Sequence, residues 1–328
     1  MSLGTAVILG VEGQDGYYLA LELSALGYSV IGTVRKLNRI PHIDLIPGVQ
    51  YTELDIRDSQ SFKRILLKYK PTQIYNLASK SSVSYSFANP EETFSINYFA
   101  LQEILKIIDE FDVDRSIKFF QASSSEMFGN QSNKLNENSE LNPVSPYGES
   151  KASAHILCQQ YRQNFGLKIN CGILFNHESE RRSTNFVTRK ITSSVAQIKL
   201  GLMDKIELGD LSIVRDWGYA PDYTRAMVTI NESEFADNYV VATGHSYSLK
   251  DMVNIAFKSL GHVEDADLYI TKKNSLLRKN DIQSSYADPR KIFESLKWQP
   301  RTSFEELISI MVTHDLRQFS NDLKLGLE

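Results

Sequence analysis

The chain has 328 residues, of which 42% are hydrophobic and 23% charged, and its formal net charge at pH 7 is −4. This composition is typical of a globular protein with one large α/β domain or two smaller ones. The slight acidity argues against a nucleic-acid groove or a polybasic membrane patch. The two cysteines lack metal-ligand spacing, so we expect reduced core residues and no metal site. With no membrane-spanning apolar run and no signal-peptide pattern, we expect a cytoplasmic protein without membrane partners.

The first 175 residues alternate between short β-branched runs and longer segments with helical spacing. Strands are predicted at residues 5–10, 28–34, 49–56, 73–78, 117–123 and 168–175. Helices are predicted between them, at residues 14–27, 59–70, 91–110 and 146–165. Nearly continuous apolar strands separated by helices are typical of a parallel sheet buried on both faces. Residues 1–175 therefore predict an α/β domain with a Rossmann-like doubly wound parallel sheet.

The alternation loosens beyond residue 176. Helices are predicted at residues 186–201, 249–261 and 303–319, with less regular segments between them. No linker, repeat or low-complexity stretch separates the two halves. We predict that residues 176–328 mainly form a smaller α/β cap against the carboxyl edge of the sheet, with some segments returning to the first domain.

Three glycines follow the first predicted strand and open the first predicted helix. Gly10, Gly13 and Gly16 are spaced by three residues. Such a loop needs Gly10 for a tight turn, Gly13 for close approach to a pyrophosphate, and Gly16 for close packing of helix and strand. At the first βα turn of a doubly wound sheet, this spacing predicts a dinucleotide site. The alternative is an ordinary turn between strand and helix.

The residues after the second predicted strand indicate which dinucleotide binds. An NAD site usually carries a carboxylate there for the ribose 2′-hydroxyl, whereas this chain has Arg35 and Lys36. Two cations suit a 2′-phosphate, which predicts NADP; the alternative is that both are solvated loop residues. Asp55, after the third strand, is a candidate acceptor for the adenine amine. Leu77 and Ala78 end the fourth strand, where we expect the cofactor to cross the sheet.

The segment from residue 123 to residue 151 collects proton-handling side chains. Tyr147 and Lys151 are four residues apart on a predicted helix, so both lie on one face. A nearby ammonium stabilises phenolate, so we predict that Lys151 lowers the pKa of Tyr147 and makes it a usable base. Ser124 follows the fifth strand at the edge where such sheets bind ligands. The alternative is a surface Tyr-Lys pair beside a serine turn.

These motifs resemble the extended short-chain dehydrogenase/reductase superfamily, and nearly the whole chain resembles the GDP-mannose 4,6-dehydratase family within it. The most specific stretch is GILFNHESERRSTNFVTRKIT, residues 172–192. GVEGQDGYYLA, QASSSEMFG, SPYGESKASAH, RDWGYAPDY and LKWQPRTSFEEL agree as well, in collinear order. The resemblance implies a lyase that binds NADP in residues 1–175 and a GDP-sugar mainly in residues 176–328. It also implies a homodimer or homotetramer, with the loop at residues 35–39 near a neighbouring subunit.

Site residues are carried over from the family position by position. The resemblance implies that the catalytic residues are Ser124, Glu126, Tyr147 and Lys151. Its cofactor-binding positions match Gly10, Gly13, Gln14, Asp15, Gly16, Arg35, Lys36, Asn38, Asp55, Ile56, Leu77, Ala78, Ser79, Ser81, Tyr147, Lys151, His177 and Arg182. Its positions around the GDP-sugar match Asn176, Val187, Lys190, Arg215 and Arg278.

The chain departs from the family pattern at several of these places. Ser124 stands where threonine is usual, and it keeps the hydroxyl. Lys80 and Ser82 stand where glutamine and histidine are more frequent, and Glu92 replaces a tyrosine that contacts the cofactor. Asp281 replaces a glutamate. These positions surround substrate and cofactor, so the sugar is left open between mannose and another manno-configured sugar such as a heptose.

Glu126 separates the functional alternatives. In a 4,6-dehydration, a carboxylate removes the C5 proton once C4 has become a ketone, and then protonates the departing 6-hydroxyl. A nucleotide-sugar 4-reductase or epimerase on the same fold would not need that carboxylate. A non-catalytic NADP sensor would have no use for the phenolate of Tyr147. The structural alternative for Glu126 is a helix or turn cap.

Overall fold

A computed structural model describes residues 3–39, 45–261, 265–276 and 281–325, and its centre is a seven-stranded parallel sheet. The strands are β1 (Thr5–Leu9), β2 (Ser29–Val34), β3 (Gln50–Glu53), β4 (Gln73–Asn76), β5 (Lys118–Ser124), β6 (Lys168–Leu174) and β11 (Asn238–Val241). Their order is β11-β6-β5-β4-β1-β2-β3, and every neighbouring pair is parallel. The order reverses at β1 and β4, whose carboxyl ends therefore border the crevice in which such sheets bind ligands.

Helices cover both faces of this sheet. The helices are α1 (Gln14–Leu26), α2 (Ser59–Tyr69), α3 (Val83–Ala88), α4 (Pro90–Phe94), α5 (Ala100–Phe111), α6 (Pro146–Phe165), α7 (Val187–Lys199), α8 (Ala220–Glu232), α9 (Leu249–Ser259), α10 (Arg290–Leu296) and α11 (Phe304–Leu325). Apolar residues of α2, α5 and α6 form one core with the sheet. Those of α1, α8 and α10 form a second core on the opposite face. Two buried faces explain why the strands read as continuous apolar runs rather than alternating ones.

A third core lies in the C-terminal part of the chain and joins α7, α9 and α11. Three short strand pairs accompany it. They are β7 (Asn176–Glu178) with β10 (Trp217–Tyr219), β9 (Val214–Arg215) with β12 (Tyr247–Ser248), and β8 (Ile206–Leu208) with β13 (Ile270–Lys272). The chain returns to the large sheet at β11 and covers it with α8 and α10. The predicted domain boundary between residues 175 and 176 stays a prediction.

The predicted doubly wound fold is confirmed, and most predicted elements lie within a few residues of the observed ones. The helix predicted at residues 91–110 is instead interrupted by a π-helical turn at Ser95–Phe99. Neither α8 nor β11 was predicted, because α8 begins in an apparent loop motif and β11 has only four residues. Cys158 and Cys171 are free and buried. Across the described ranges, no helix combines the length and apolarity needed to cross a membrane.

Candidate active site

The glycine loop joins β1 to α1, and two of its glycines are required by steric contacts. Gly10 has φ +88°, and a Cβ there would lie 3.0 Å from backbone atoms of Ala78. A Cβ on Gly16 would lie 2.4 Å from the carbonyl oxygen of Gly10 and 2.6 Å from Cα of Val11. A side chain at Gly10 would push the loop away from the segment after β4, and one at Gly16 would push α1 away from the loop.

Gly13 has a different role, because a Cβ there would approach only the carbonyl oxygen of Gly10, at 3.6 Å. Gly13 caps α1 and offers no side-chain oxygen to the first turn. The first N–H groups of a helix have no intrahelical partner, and the helix dipole makes that end positive. A bare loop surface and a positive helix end fit the diphosphate of a dinucleotide.

Two cations follow β2 beside this loop. Arg35 and Lys36 are exposed, as is Asn38 in the short 3-10 turn at Leu37–Arg39. Nε of Arg35 lies 3.6 Å from Oε1 of Glu12, which belongs to the glycine loop. The ion pair holds a guanidinium beside the glycine loop. Two exposed cations at this place can bind an anionic group.

Asp55 follows β3, and its carboxylate is already engaged within the chain. The guanidinium of Arg57 donates hydrogen bonds to both carboxylate oxygens and, as the main cause, lowers the pKa of Asp55. Ile56 is buried beside it. Asp55 is therefore a fixed carboxylate at the sheet edge. Arg57, which sequence reasoning did not single out, sets its orientation.

The segment after β4 closes the other side of the crevice. The backbone N–H of Leu77 donates to the carbonyl oxygen of Leu9 at 3.0 Å, which extends the pairing of β4 with β1. Ala78 then packs against Gly10. The two predicted cofactor contacts therefore lie directly opposite the glycine loop.

Asn97 fixes the continuation of this segment and was missed by sequence reasoning. Its side-chain oxygen accepts hydrogen bonds from the Ser79 hydroxyl at 3.0 Å and the Lys80 N–H at 2.9 Å. Its amide donates to the Lys80 carbonyl at 3.2 Å and to the Ser150 hydroxyl on α6 at 3.0 Å. Ser81, which follows, is exposed. The π-helical turn around Asn97 is a feature often found at functional sites, but no sequence pattern announces it.

The candidate acid–base residues lie where β5 ends and α6 begins. Ser124 is the last residue of β5, and its side chain accepts a hydrogen bond from the Glu126 N–H at 3.3 Å. Tyr147 is the second residue of α6. Gly148, the next residue of α6, lets the turn that contains Glu126 pack closely against this helix. A Cβ at residue 148 would lie 2.7 Å from the carbonyl oxygen of Glu126. Gly148, directly after Tyr147 in SPYGESK, was also missed as a site residue.

The pKa shift of Tyr147 corrects the sequence prediction. Burial raises the pKa of Tyr147 to about 12, the charge of Glu126 adds to this, and Ser124 and Arg182 lower it. The sequence predicted that Lys151 lowers the pKa of Tyr147, and that prediction is wrong. Nζ of Lys151 lies 5.9 Å from the centre of the Tyr147 ring and donates to the Ala122 carbonyl at 2.9 Å. Burial lowers the pKa of Lys151 to about 8.

His177 and Arg182 lie beside the start of α1, and both face carboxylates. Nε2 of His177 lies 2.9 Å from Oδ2 of Asp15, and Nε of Arg182 lies 3.1 Å from Oε2 of Glu178. The Gln14 amide donates both to Asp15 and to the His177 carbonyl. These contacts join β7 to the helix that follows the glycine loop.

Four of the five residues predicted to bind a GDP-sugar lie on β7, α7 and β9. Asn176 begins β7, and Val187 begins α7. Lys190 on α7 donates from Nζ to the Glu207 carbonyl at 2.6 Å. Arg215 is buried on β9, 3.4 Å from the carboxylate of Asp281. Arg278 lies outside the described residues.

Two departures from the family pattern, Lys80 and Glu92, pair with each other. Nζ of Lys80 lies 3.4 Å from Oε1 of Glu92 and 4.7 Å from the centre of the Tyr85 ring. The Tyr85 hydroxyl donates to Glu92. Ser82 caps α3 by accepting from the Tyr85 N–H at 3.2 Å. Within the described part of the chain, no group of three or more His, Cys, Asp or Glu residues is arranged to hold a metal ion.

The sheet order, the glycine loop and the Ser-Tyr-Lys group define an extended short-chain dehydrogenase/reductase. Residues 7–311 match the sequence profile of GDP-mannose 4,6 dehydratase. The chain is 38% identical to GDP-mannose 4,6 dehydratase 1 of Arabidopsis thaliana, over 95% of this chain and 89% of that protein. It is 35% identical to the Homo sapiens GDP-mannose 4,6 dehydratase, over 95% and 91%. The chain belongs to the GDP-mannose 4,6-dehydratase family.

Solved structures with low sequence identity share the fold. UDP-glucose 4-epimerase of Thermotoga maritima with UDP-glucose superimposes with a TM-score of 0.86 at 22% identity, covering 96% of this chain and 99% of that chain. dTDP-glucose 4,6-dehydratase of Bacillus anthracis in complex with NAD gives 0.82 at 18% identity, covering 99% of each chain. The α/β architecture is thus common to epimerases and dehydratases, so fold alone does not separate these reactions.

Alanine at the second and third glycines of the loop should separate folding from cofactor binding. Gly16→Ala places a methyl group against backbone atoms and should lower the free energy of unfolding by about 1–3 kcal/mol. Gly13→Ala meets no such contact and should lower it by less than about 1 kcal/mol. Gly13→Ala should nevertheless weaken NADPH binding by about tenfold or more, since its methyl group covers the loop surface. Urea unfolding and NADPH fluorescence titration measure the two effects; wild-type NADPH affinity in Gly13→Ala would contradict the diphosphate site.

Proposed function

We propose that the chain converts GDP-mannose to GDP-4-keto-6-deoxymannose, with NADP as a cofactor that is not consumed. The observation that carries this proposal is the close packing of the Glu126 turn on Gly148, next to Tyr147. The charge of Glu126 also raises the pKa of Tyr147, which supports a carboxylate acting near the candidate base. Membership of the GDP-mannose 4,6-dehydratase family supports the same reaction.

The cofactor would lie across the β1–β4 crevice. The glycine loop and the start of α1 would hold its diphosphate, Arg35 and Lys36 its 2′-phosphate, and Lys151 its nicotinamide half. When bound, the nicotinamide supplies a hydride acceptor with a positive charge and, once reduced, a hydride donor. The steric requirement for glycine at residues 10 and 16 and the bare surface at Gly13 support this fit.

Tyr147 would take the proton of the sugar 4-hydroxyl as that carbon is oxidised. Its pKa of about 12 in the site alone is too high for a base at neutral pH. A positive charge entering this buried site lowers the pKa of Tyr147, because it stabilises the phenolate. Ser124, which already lowers that pKa, would bind the same sugar oxygen and orient it toward Tyr147.

Glu126 would carry out the elimination. A ketone at C4 acidifies the C5 hydrogen, and the Glu126 carboxylate would remove it. The same group would return the proton to the 6-hydroxyl, which departs as water. Hydride addition at C6 and protonation at C5 by a solvent-derived proton would then complete the 4-keto-6-deoxy sugar, with no net use of cofactor.

The GDP-sugar would lie between the cap and the sheet, with Arg215 and Lys190 near its phosphates. Arg215 is buried and its ion pair with Asp281 fixes its orientation. An alternative reaction, a nucleotide-sugar 4-reduction or epimerisation, would leave Glu126 without a chemical role. Another manno-configured sugar such as a heptose would use the same chemistry, and a direct comparison of GDP-sugars as substrates decides between them.

We also propose that the chain forms a homodimer or homotetramer. Phe99 at the end of the π-helical turn is 55% exposed, and Ile156 on the adjacent α6 is 43% exposed. Exposed large apolar side chains on neighbouring elements are typical of subunit contacts. Multi-angle light scattering should give two or four times the chain mass of 37.3 kDa; a monomer at micromolar concentration would contradict the proposal.

Arg35→Ala tests the choice of NADP. Removing the guanidinium should weaken NADPH binding about tenfold to a hundredfold, the usual effect of losing a charged hydrogen bond, and change NADH binding by less than about twofold. Arg64→Ala is the matched control, since Arg64 is an exposed arginine on α2 that contacts Ser61. Fluorescence titration gives both affinities. Equal losses for NADPH and NADH would show that Arg35 does not contact a 2′-phosphate.

Glu126→Gln tests the dehydration itself. Glutamine keeps the size of the side chain but cannot take and return a proton. Oxidation at C4 should continue, so reduced cofactor and a 4-keto-hexose should accumulate on the enzyme, while water loss slows by about a hundredfold to ten-thousandfold. Single-turnover absorbance at 340 nm and product mass spectrometry measure the two steps. Dehydration at the wild-type rate would show that Glu126 has no catalytic role and would favour the reductase or epimerase reaction.

A further inference from the structure

A partly buried ion pair lies at the beginning of α1, directly after the glycine loop. Oδ2 of Asp15 and Nε2 of His177 are 2.9 Å apart, and their side chains are 22% and 11% exposed. Asp15 is the second residue of α1, whereas His177 lies in the middle of β7, 162 residues away. The pair therefore joins the glycine-loop helix to the strand that leads into Arg182 and α7.

The hydrogen-bond pattern shows that His177 is an imidazolium. Nδ1 lies 2.7 Å from the Phe175 carbonyl oxygen, and Nε2 faces the Asp15 carboxylate. Both partners only accept hydrogen bonds, and a neutral imidazole has a single N–H to donate. The Tyr223 ring stacks on the imidazole at 4.6 Å between centroids, an arrangement that favours a cation. Burial alone would lower the pKa of His177, but the attraction and hydrogen bond of Asp15 outweigh it and raise that pKa.

The position of Asp15 explains why a positive partner matters. A carboxylate in the first turn of a helix shares the same positive helix end as a bound diphosphate, and like charges there repel. Burial would raise the pKa of Asp15, but His177 outweighs this effect and lowers it to about 2, so the carboxylate is charged at neutral pH. Gln14 holds the arrangement by donating to Asp15 and accepting from the Ser179 hydroxyl at 2.8 Å.

We propose that His177 is a positioning residue that acts through Asp15: its imidazolium neutralises the carboxylate at the start of α1 and thereby sets the affinity of the site for the cofactor diphosphate. The inference rests on the proposed dinucleotide site. It assigns His177 an indirect effect on the cofactor. Loss of the imidazolium charge leaves Asp15 as an unpaired carboxylate beside the diphosphate, so cofactor affinity falls when His177 loses its proton.

The direction of the pH effect follows from the raised pKa of His177. The neutralisation is complete below the ordinary histidine pKa of 6.5 and is lost as pH rises through the higher value in the folded protein. Other titratable groups face the pair from the elements packed around it: Arg182 after β7, Tyr223 on α8, and Tyr147 and Lys151 on α6. Burial raises the pKa of both tyrosines, whereas it lowers the pKa of Lys151 to about 8, inside the pH range of the test.

The test measures NADPH affinity by fluorescence titration between about pH 6.5 and pH 9 in five proteins. Asp15→Asn is the reference, because it keeps Lys151 but has no carboxylate to neutralise. From the lowest to the highest pH, the NADPH affinity of wild type should fall roughly tenfold more than that of Asp15→Asn. His177→Gln should bind about tenfold or more weakly already at pH 6.5. The double variant Asp15→Asn/His177→Gln should recover most of that affinity, because a double-mutant cycle isolates the interaction. His245→Gln, at an exposed histidine, is the matched control and should behave as wild type.

A readout without cofactor separates this inference from the proposed function. Histidine ring NMR of wild type, with the His177 signal assigned by its absence in His177→Gln, should show a pKa above 6.5 that falls in Asp15→Asn. A His177 that titrates at or below 6.5, or no rescue in the double variant, would overturn the inference while leaving the proposed function intact. Failure of wild type to bind NADPH at any pH would overturn the proposed function, and the NMR result would still decide the charge of His177.

Discussion

The close approach of the Glu126 carbonyl to Gly148 is the constraint on which the candidate active site depends. Ser124 ends β5 at the carboxyl edge of the sheet, and Glu126 lies in the 3-10 turn that follows. Tyr147 and Lys151 lie near the start of α6. The two groups meet only because residue 148 has no side chain, since a Cβ would come within 2.7 Å of the carbonyl oxygen. A side chain here would push the turn that carries Glu126 away from the start of α6, and the proposed dehydration needs Glu126 and Tyr147 close together.

Burial sets the electrostatics of this arrangement. It raises the pKa of Tyr147 to about 12 and lowers that of Lys151 to about 8, so desolvation favours the neutral form of each group. A positive charge that enters such a site would lower the pKa of Tyr147, because it stabilises the phenolate. The same principle operates at the start of α1, where the His177 imidazolium offsets the charge of Asp15. Charge balance thus links the cofactor side of the crevice to its catalytic side.

The sequence predicted the parallel sheet, the glycine loop and the Ser-Tyr-Lys group because each has a local pattern with a physical cause. It could not predict contacts between distant residues, such as Asn97 with Ser79 and Ser150, or Asp15 with His177. One prediction from local spacing was wrong. The four-residue spacing suggested that Lys151 lowers the pKa of Tyr147, whereas in the fold Lys151 donates a hydrogen bond to the Ala122 carbonyl. Burial, which decides that pKa, is a property of the tertiary structure.

The central claim is that oxidation, elimination and reduction occur on one bound sugar without net use of cofactor. GDP-mannose carrying deuterium at C4 tests it most directly, with catalytic NADP and mass spectrometry of the product. The account predicts loss of one water, with the deuterium retained at C6 and solvent-derived hydrogen at C5. A product that keeps all its oxygen, or that forms only as cofactor is consumed in equal amount, would contradict the account and indicate a reductase or epimerase instead.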